Sequence, residues 1–284
     1  MEKGNNSSLQ LLFTMLPGLP DTEATIARYI LLEPAKAKNM TAKELVAECG
    51  VGEATVFRLC QRLGCTFSEL KRGIDADGTN PLLTEAPRDG DLDDVLRHAQ
   101  ERVFGALKDT IDFLDMAKVE KAIEILRQGE KIFVCGTGPI SGNIAEMTAF
   151  KLQEVGLTAL PWSDNRAPET VTSICTSRDV ILGLSHSGES KELGRMLELV
   201  SGKTVRSIVI TNYQASTAAS YADVVLATAV REVGLYQTDL VPRFGLLFII
   251  EILLEALDPK QSTGLLRRSF FAEPAMPARY DSSL

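Results

Sequence analysis

The chain has 284 residues and 45% hydrophobic side chains, which is long enough for one large or two modest domains and apolar enough to fill their cores. Its formal charge of -8 argues against nucleic-acid binding by the chain as a whole, and its five cysteines, at 49, 60, 65, 135 and 175, contain no CxxC pair, which argues against a zinc framework and fits a reducing cytoplasm. No stretch reaches the roughly 18 uninterrupted apolar residues of a membrane span, since Phe244–Leu257 is broken by Glu251 and Glu255, and "MEKGNNSSLQ" lacks the basic-then-apolar order of a secretory signal.

The charge is unevenly spread. From Ile26 to Arg72 there are eight Lys/Arg against five Asp/Glu, and from Gly73 to Glu101 two against eight. A small basic unit followed by an acidic connector points to a nucleic-acid module at the N-terminus. In that unit "TEATIARYILLE" reads as a helix stopped by Pro34, "TAKELVAEC" as a helix opened by a Thr41–Glu44 capping box, and "EATVFRLCQRLG" as a helix ended by Gly64. Gly50-Val51-Gly52 supplies the turn between the last two. Buried Val46 and apolar Val56, Leu59 and Leu63 clamp the pair, which is helix-turn-helix spacing. Glu53, Thr55, Arg58 and Arg62 are expected on the outer face, where the arginines meet guanines or phosphates of double-stranded DNA. A three-helix scaffold with a solvated basic face is the competing explanation.

The Gly-, Pro- and Asp-rich segment 75–94 has little apolar periodicity and reads as a linker, giving domains at 1–76 and 95–284 with an acidic connector at 77–94. After it, Val95, Val103, Leu107, Ile111 and Leu114 fall near one stripe of a helix that packs under the second domain. From Glu130 the runs "KIFVCG", "GLTALP", "DVILGLS", "RSIVITN" and "ADVVLAT" alternate with helical stretches. That rhythm predicts repeated βα units and a parallel sheet covered on both faces. The tail after Pro259 reads as poorly ordered.

Ligands of such sheets collect beyond the carboxyl ends of the strands, where "VCGTGPISGN" and "LSHSGES" fall. Each places small and hydroxyl residues before a helix start, whose free N–H groups and positive dipole end suit a phosphate. Other chemistries fit less well. A nucleophile elbow lacks its second glycine in Gly183-Leu184-Ser185-His186-Ser187, and no Walker A loop is present. A dinucleotide fingerprint has Gly136, Gly138 and a candidate ribose carboxylate at Asp164, but Ser141 replaces its third glycine. Simple helix capping by Ser187 and Ser190 remains open.

The order of these segments resembles the RpiR-type bacterial transcription regulators, which join a helix-turn-helix to a sugar-isomerase (SIS) domain. The resemblance rests on the helix pair above and on "GTGPISGNIAEMTAFKLQEVG", "LSHSGESKEL" and "ITNYQASTAASYADVVLAT". It implies an all-α N-terminal domain and a three-layer α/β SIS domain with a five-stranded parallel sheet. It further implies a phosphosugar held by Ser141, Ser185, Ser187, Gly188 and Ser190, with Gly138, His186, Glu189, Thr211, Asn212 and Ser216 as weaker contacts. Relative to the family pattern the first loop is one residue longer. The expected protein is a cytoplasmic homodimer or homotetramer on an operator, with no metal or cofactor. A phosphosugar isomerase is the alternative within the same fold, and a nicotinamide-binding redox protein the alternative outside it.

Overall fold

The computed structural model describes residues 8–76, 90–162, 168–231 and 240–258. The expectations for the connector at 77–89, for Asp164 and for the tail from 259 lie outside them.

The N-terminal region is helical throughout: α1 (Ser8–Met15), a 3-10 turn (Leu16–Gly18), α2 (Asp21–Leu32), α3 (Pro34–Ala37), α4 (Ala42–Glu48), α5 (Ala54–Leu63) and α6 (Phe67–Ala76). Pro34 ends α2 because it cannot donate to the preceding turn and starts α3 with its fixed φ. Thr41 caps α4 through the expected box: its N–H donates to Glu44 Oε2 at 2.7 Å while its hydroxyl accepts from Glu44 N at 3.2 Å. Thr66 and Glu69 repeat that box at α6. Gly64, at φ 67°, closes α5 in the left-handed conformation that costs glycine least. Leu12, Ile26, Ile30, Leu45, Leu59 and Leu70 form the core of this bundle.

The second region opens with α7 (Leu92–Phe113), capped by Asp91, so this helix starts inside the segment expected to be linker. Then follow α8 (Met116–Gln128), β1 (Ile132–Gly136), α9 (Gly138–Glu154), β2 (Ala159–Trp162), α10 (Pro168–Ile174), β3 (Val180–Leu184), α11 (Lys191–Val200), β4 (Arg206–Thr211), α12 (Thr217–Tyr221), β5 (Val224–Ala227) and α13 (Val241–Leu257). The five expected apolar runs are the five strands, and all pair in parallel in the order β2-β1-β3-β4-β5. Alternation along the strands divides the core in two. Val134, Leu182 and Ile208 meet Leu126, Leu152 and Ile249 of α8, α9 and α13 on one face. On the other face Phe133, Ile181 and Val209 meet Val171, Leu193 and Leu197 of α10 and α11. This is the three-layer α/β arrangement expected, since hydrophobic strands buried on both faces need helices on both.

The packed stripe of α7 differs from the expected one. Ala106, Asp109, Thr110 and Phe113 are buried, whereas Val95 and Ile111 are exposed. Small side chains at 106 and 110 let α13 approach closely; a methyl added at Gly245 would overlap Thr110 Oγ1. Close approach of two helices outweighs the larger apolar area of the alternative stripe.

Candidate functional site

The strand order reverses direction between β1 and β3, where the chain leaves β1 for one side of the sheet and β3 for the other. A crevice forms at such a switch point because the two connections depart in opposite directions. Gly136 and Leu184, the last residues of these strands, sit side by side in the parallel register. The segments that follow, 137–141 and 185–190, therefore leave the sheet side by side at this switch point.

In the second of these segments every serine hydroxyl has a local backbone partner. Ser185 Oγ, buried, accepts from Gly188 N at 3.0 Å; Ser187 Oγ accepts from Glu189 N at 3.2 Å; Ser190 Oγ accepts from Leu193 N at 3.3 Å and so caps α11. Capping is thus real, and it holds the loop in a fixed curve. The amides of Lys191 and Glu192, in the first turn of α11, have no carbonyl within the helix to bond. Gly188 has φ 68° and lies so close to Ser216 that a side chain would overlap that residue's Oγ. Ser187 is exposed and Ser190 half-buried, at the open side of the loop.

A hydroxyl contact joins the first segment to the second. Thr137 Oγ1, on the N-cap of α9, lies 2.6 Å from Ser190 Oγ. Ser141 sits in the first turn of α9, half-buried. Its carbonyl packs against Gly136, where a methyl group would collide. Gly138 opens the helix at φ 74°, in the left-handed region that glycine enters most readily.

The weaker expected contacts are occupied elsewhere. The Glu189 carboxylate accepts from Thr217 N at 2.9 Å and Thr217 Oγ1 at 2.6 Å, so it caps α12. Thr211, fully buried, donates from Oγ1 to the His186 carbonyl at 3.1 Å and shapes the turn. Asn212 is buried as well: its N–H donates to the same carbonyl at 2.9 Å and its Oδ1 accepts from Thr228 Oγ1 at 2.6 Å. The half-buried His186 ring lies edge-on to Tyr213, with centroids 6.2 Å apart. Nucleophilic thiols are not offered either. Burial pushes Cys60 up to about 12 and Cys175 up to about 11, so both stay protonated at neutral pH.

On the helix pair, Thr55 corrects the expected outer face. It is 1% exposed, turned inward with Val56. At 100° per residue, α5 brings positions 55, 56, 59, 60 and 63 onto its buried side, leaving Phe57 (64% exposed) and Gln61 outward. Arg58 and Arg62 are half-exposed but not free of partners: their Nε atoms lie 3.6 Å and 2.7 Å from the carboxylate of Glu23 on α2, whose side chain is 2% exposed. Two arginines thus balance one buried charge and present their outer edges to solvent. Glu53, at the N-cap of α5, is exposed.

Residues 7–78 match the helix-turn-helix domain of the rpiR family, and residues 125–238 match the SIS domain. The chain belongs to the RpiR-type regulators. An HTH-type transcriptional regulator of Haemophilus influenzae is 27% identical over 90% of this chain and 91% of the relative, and YbbH of Bacillus subtilis, also an HTH-type transcriptional regulator, is 27% identical over 94% and 97%. Among solved structures, the Vibrio vulnificus NanR protein complexed with ManNAc-6P aligns with TM-score 0.54 and 22% identity over 90% of this chain and 92% of that one. The sugar isomerase domain of an RpiR transcription factor from Sphaerobacter thermophilus aligns with TM-score 0.54 and 20% identity over 61% and 96%. At these identities the structural likeness establishes the fold.

Three residues of this RpiR-type chain went unread in its sequence: Thr137, Phe57 and Gln61. Thr137 had one legible signal, a hydroxyl directly after a strand and before a helix. Phe57 and Gln61 had the helical spacing of four, masked by the more conspicuous arginines between and after them.

Proposed function

We propose that the protein is a DNA-binding transcription regulator whose SIS domain senses a phosphosugar. The observation that carries the sensing role is the pair of hydroxyl-bearing loops at the switch point, tied together by Thr137 and Ser190 and both opening helices. The ligand phosphate sits between them, accepting from the first-turn amides of α11 and from the hydroxyls of Ser187, Ser190 and Ser141. Ser185 and Gly188 fix the curve of the loop, and Gly138 lets α9 begin close to the ligand. NanR of Vibrio vulnificus, complexed with ManNAc-6P, supports this ligand class. DNA is bound by the helical bundle ending at Ala76, with α5 in the major groove, so that Phe57 and Gln61 face base edges and Arg58 and Arg62 reach phosphates. The chain works as a homodimer or homotetramer in the cytoplasm. Exposed Phe104 and Ile111, seven residues apart on one face of α7, and exposed Met147 and Phe150, three apart on one face of α9, support self-association, since each pair makes an apolar stripe rather than a lone exposed side chain.

The decisive experiment is a thermal-shift panel of sugar phosphates against the full chain, because a ligand that binds only the folded state raises its stability. Ser187→Ala removes an exposed hydroxyl and abolishes the shift while lowering the unliganded melting point little, since water can replace it as acceptor for the exposed Glu189 N–H. Ser190→Asp keeps the cap of α11 while setting a negative charge against the phosphate, and also abolishes it. A full shift in both variants refutes the site. The fold also serves phosphosugar isomerases, and a coupled assay against aldose and ketose phosphates separates the two functions; sustained turnover refutes a purely sensory role.

A further inference from the structure

We propose that α1 is the mechanical link between the phosphate loop and the DNA-binding bundle, seated on the segment 211–218 through Phe13 and Tyr213. This rests on the phosphate-binding role given to residues 185–190.

The phosphate loop and segment 211–218 are one hydrogen-bonded unit. The His186 carbonyl accepts from Asn212 N at 2.9 Å and from Thr211 Oγ1 at 3.1 Å, and the Gly188 carbonyl accepts from Ala218 N at 2.9 Å. Thr217 is held by Glu189. Ser216 Oγ, fully buried and without a hydrogen-bond partner among the described residues, is wedged against Gly188. A phosphate that shifts the backbone of 186–189 therefore shifts 211–218 with it, because densely packed groups with shared hydrogen bonds have no slack.

The other side of that segment carries α1. Ala215 N donates to the Thr14 carbonyl at 3.3 Å, and the rings of Phe13 and Tyr213 lie 5.0 Å apart at 32°. Gly18 meets Ala215 so closely that an added Cβ would lie 2.9 Å from its carbonyl oxygen. Tyr213 also meets the His186 ring, so a single side chain touches both the phosphate loop and α1.

The same short helix belongs to the DNA-binding bundle. Leu9 and Leu12 are buried in its core with Leu70 and Ile74 of α6. Gln10 Nε2 donates to the Asp109 carbonyl of α7 at 3.0 Å, beside an Asp109 carboxylate that is itself clamped by Arg231 at 2.7 Å. A helix of eight residues is too short to persist without tertiary support, so its position is set by the surfaces it packs on, the bundle on one side and segment 211–218 with α7 on the other. Ligand occupancy then changes the pose of the bundle by a population shift, with reciprocal coupling between the two sites.

Hydrogen-exchange mass spectrometry of the full chain, with saturating inorganic phosphate against chloride of equal ionic strength, tests the link. In the unaltered protein phosphate slows exchange in 185–193 and also in 9–16, by about 5-fold or more, the low end of ordinary allosteric coupling. In Tyr213→Ala the protection of 185–193 survives while that of 9–16 is lost, and phosphate affinity falls by the same factor. Phe13→Leu, which keeps apolar volume in α1 but removes the ring pair, gives the same pattern, with unchanged exchange in α6 showing that the bundle is intact. Protection of 185–193 with no change in 9–16 overturns the link and leaves the sensor site standing. No protection at 185–193 overturns both.

Discussion

Gly188 is the position where backbone and packing demands coincide, and Gly188→Ala tests the reasoning about the loop 185–190. Its φ of 68° is in the left-handed region, which costs a residue with a Cβ about 1–2 kcal/mol. The new methyl would also overlap Ser216 Oγ and approach Thr211 Oγ1 to 3.0 Å, and buried overpacking costs roughly 1–3 kcal/mol. The expected loss is the sum of these, about 2–5 kcal/mol, read as a shift in urea midpoint at constant slope. Because Ser216 supplies the colliding atoms, Ser216→Gly in the same chain recovers the overpacking part and leaves the conformational part. A double-mutant cycle against Ser216→Gly alone isolates it as a coupling of about 1–3 kcal/mol. A coupling near zero would show that the two residues do not press on one another, and the hydrogen-bonded unit joining the loop 185–190 to 211–218 would lose its central contact.

Glu23→Ala removes the buried carboxylate that orders Arg58 and Arg62. It lowers stability by about 1–2 kcal/mol, a value discounted because both arginines are half-exposed, and it weakens operator retention in a gel shift by releasing their positions. Unaltered melting in that variant would mean the pair contributes nothing to the bundle. Gln61→Ala, at an exposed site, leaves melting unchanged while relaxing the sequence preference found by selection from random duplexes; a paired amide contact to adenine is worth about 1–3 kcal/mol of discrimination. Identical selected sequences would remove Gln61 from base reading. Hydrogen bonds from Thr41 and Thr66 hold the carboxyls of Glu44 and Glu69 below the usual range. A depressed folded pKa contributes stability above the unfolded value of about 4.3, which is lost as the pH falls through the folded value. The gap in chemical stability between the unaltered protein and Glu44→Gln/Glu69→Gln is therefore present at neutral pH and closes in acid; a gap independent of pH would contradict the capping geometry.

Much of the molecule was legible because its causes are local. The Thr41–Glu44 box, the stop at Pro34 and the left-handed Gly64 act within one turn of a helix. The five strands announced themselves as short apolar runs because strands of a parallel sheet covered on both faces are mainly hydrophobic rather than alternating. The cap at Ser190, left open by the sequence, is local in the same way, since its hydroxyl bonds an amide three residues away.

What stayed hidden was decided across distance in the chain. Thr55 and Phe57 differ by two positions on one helix, and only the packing of α5 on α2 determined which of them faces inward. The arginines of α5 read as free cations until a carboxylate on another helix took their inner edges. Thr137 meets Ser190 only because β1 and β3 are neighbours in the sheet although β2 lies between them in sequence. The sequence alone determined the elements, the two-domain order and the chemistry of the loops, because propensity, capping and periodicity act over a few residues. Tertiary structure decided which side chains meet across the switch point and which helix α1 serves, because those contacts depend on strand order and close packing between segments far apart in the chain.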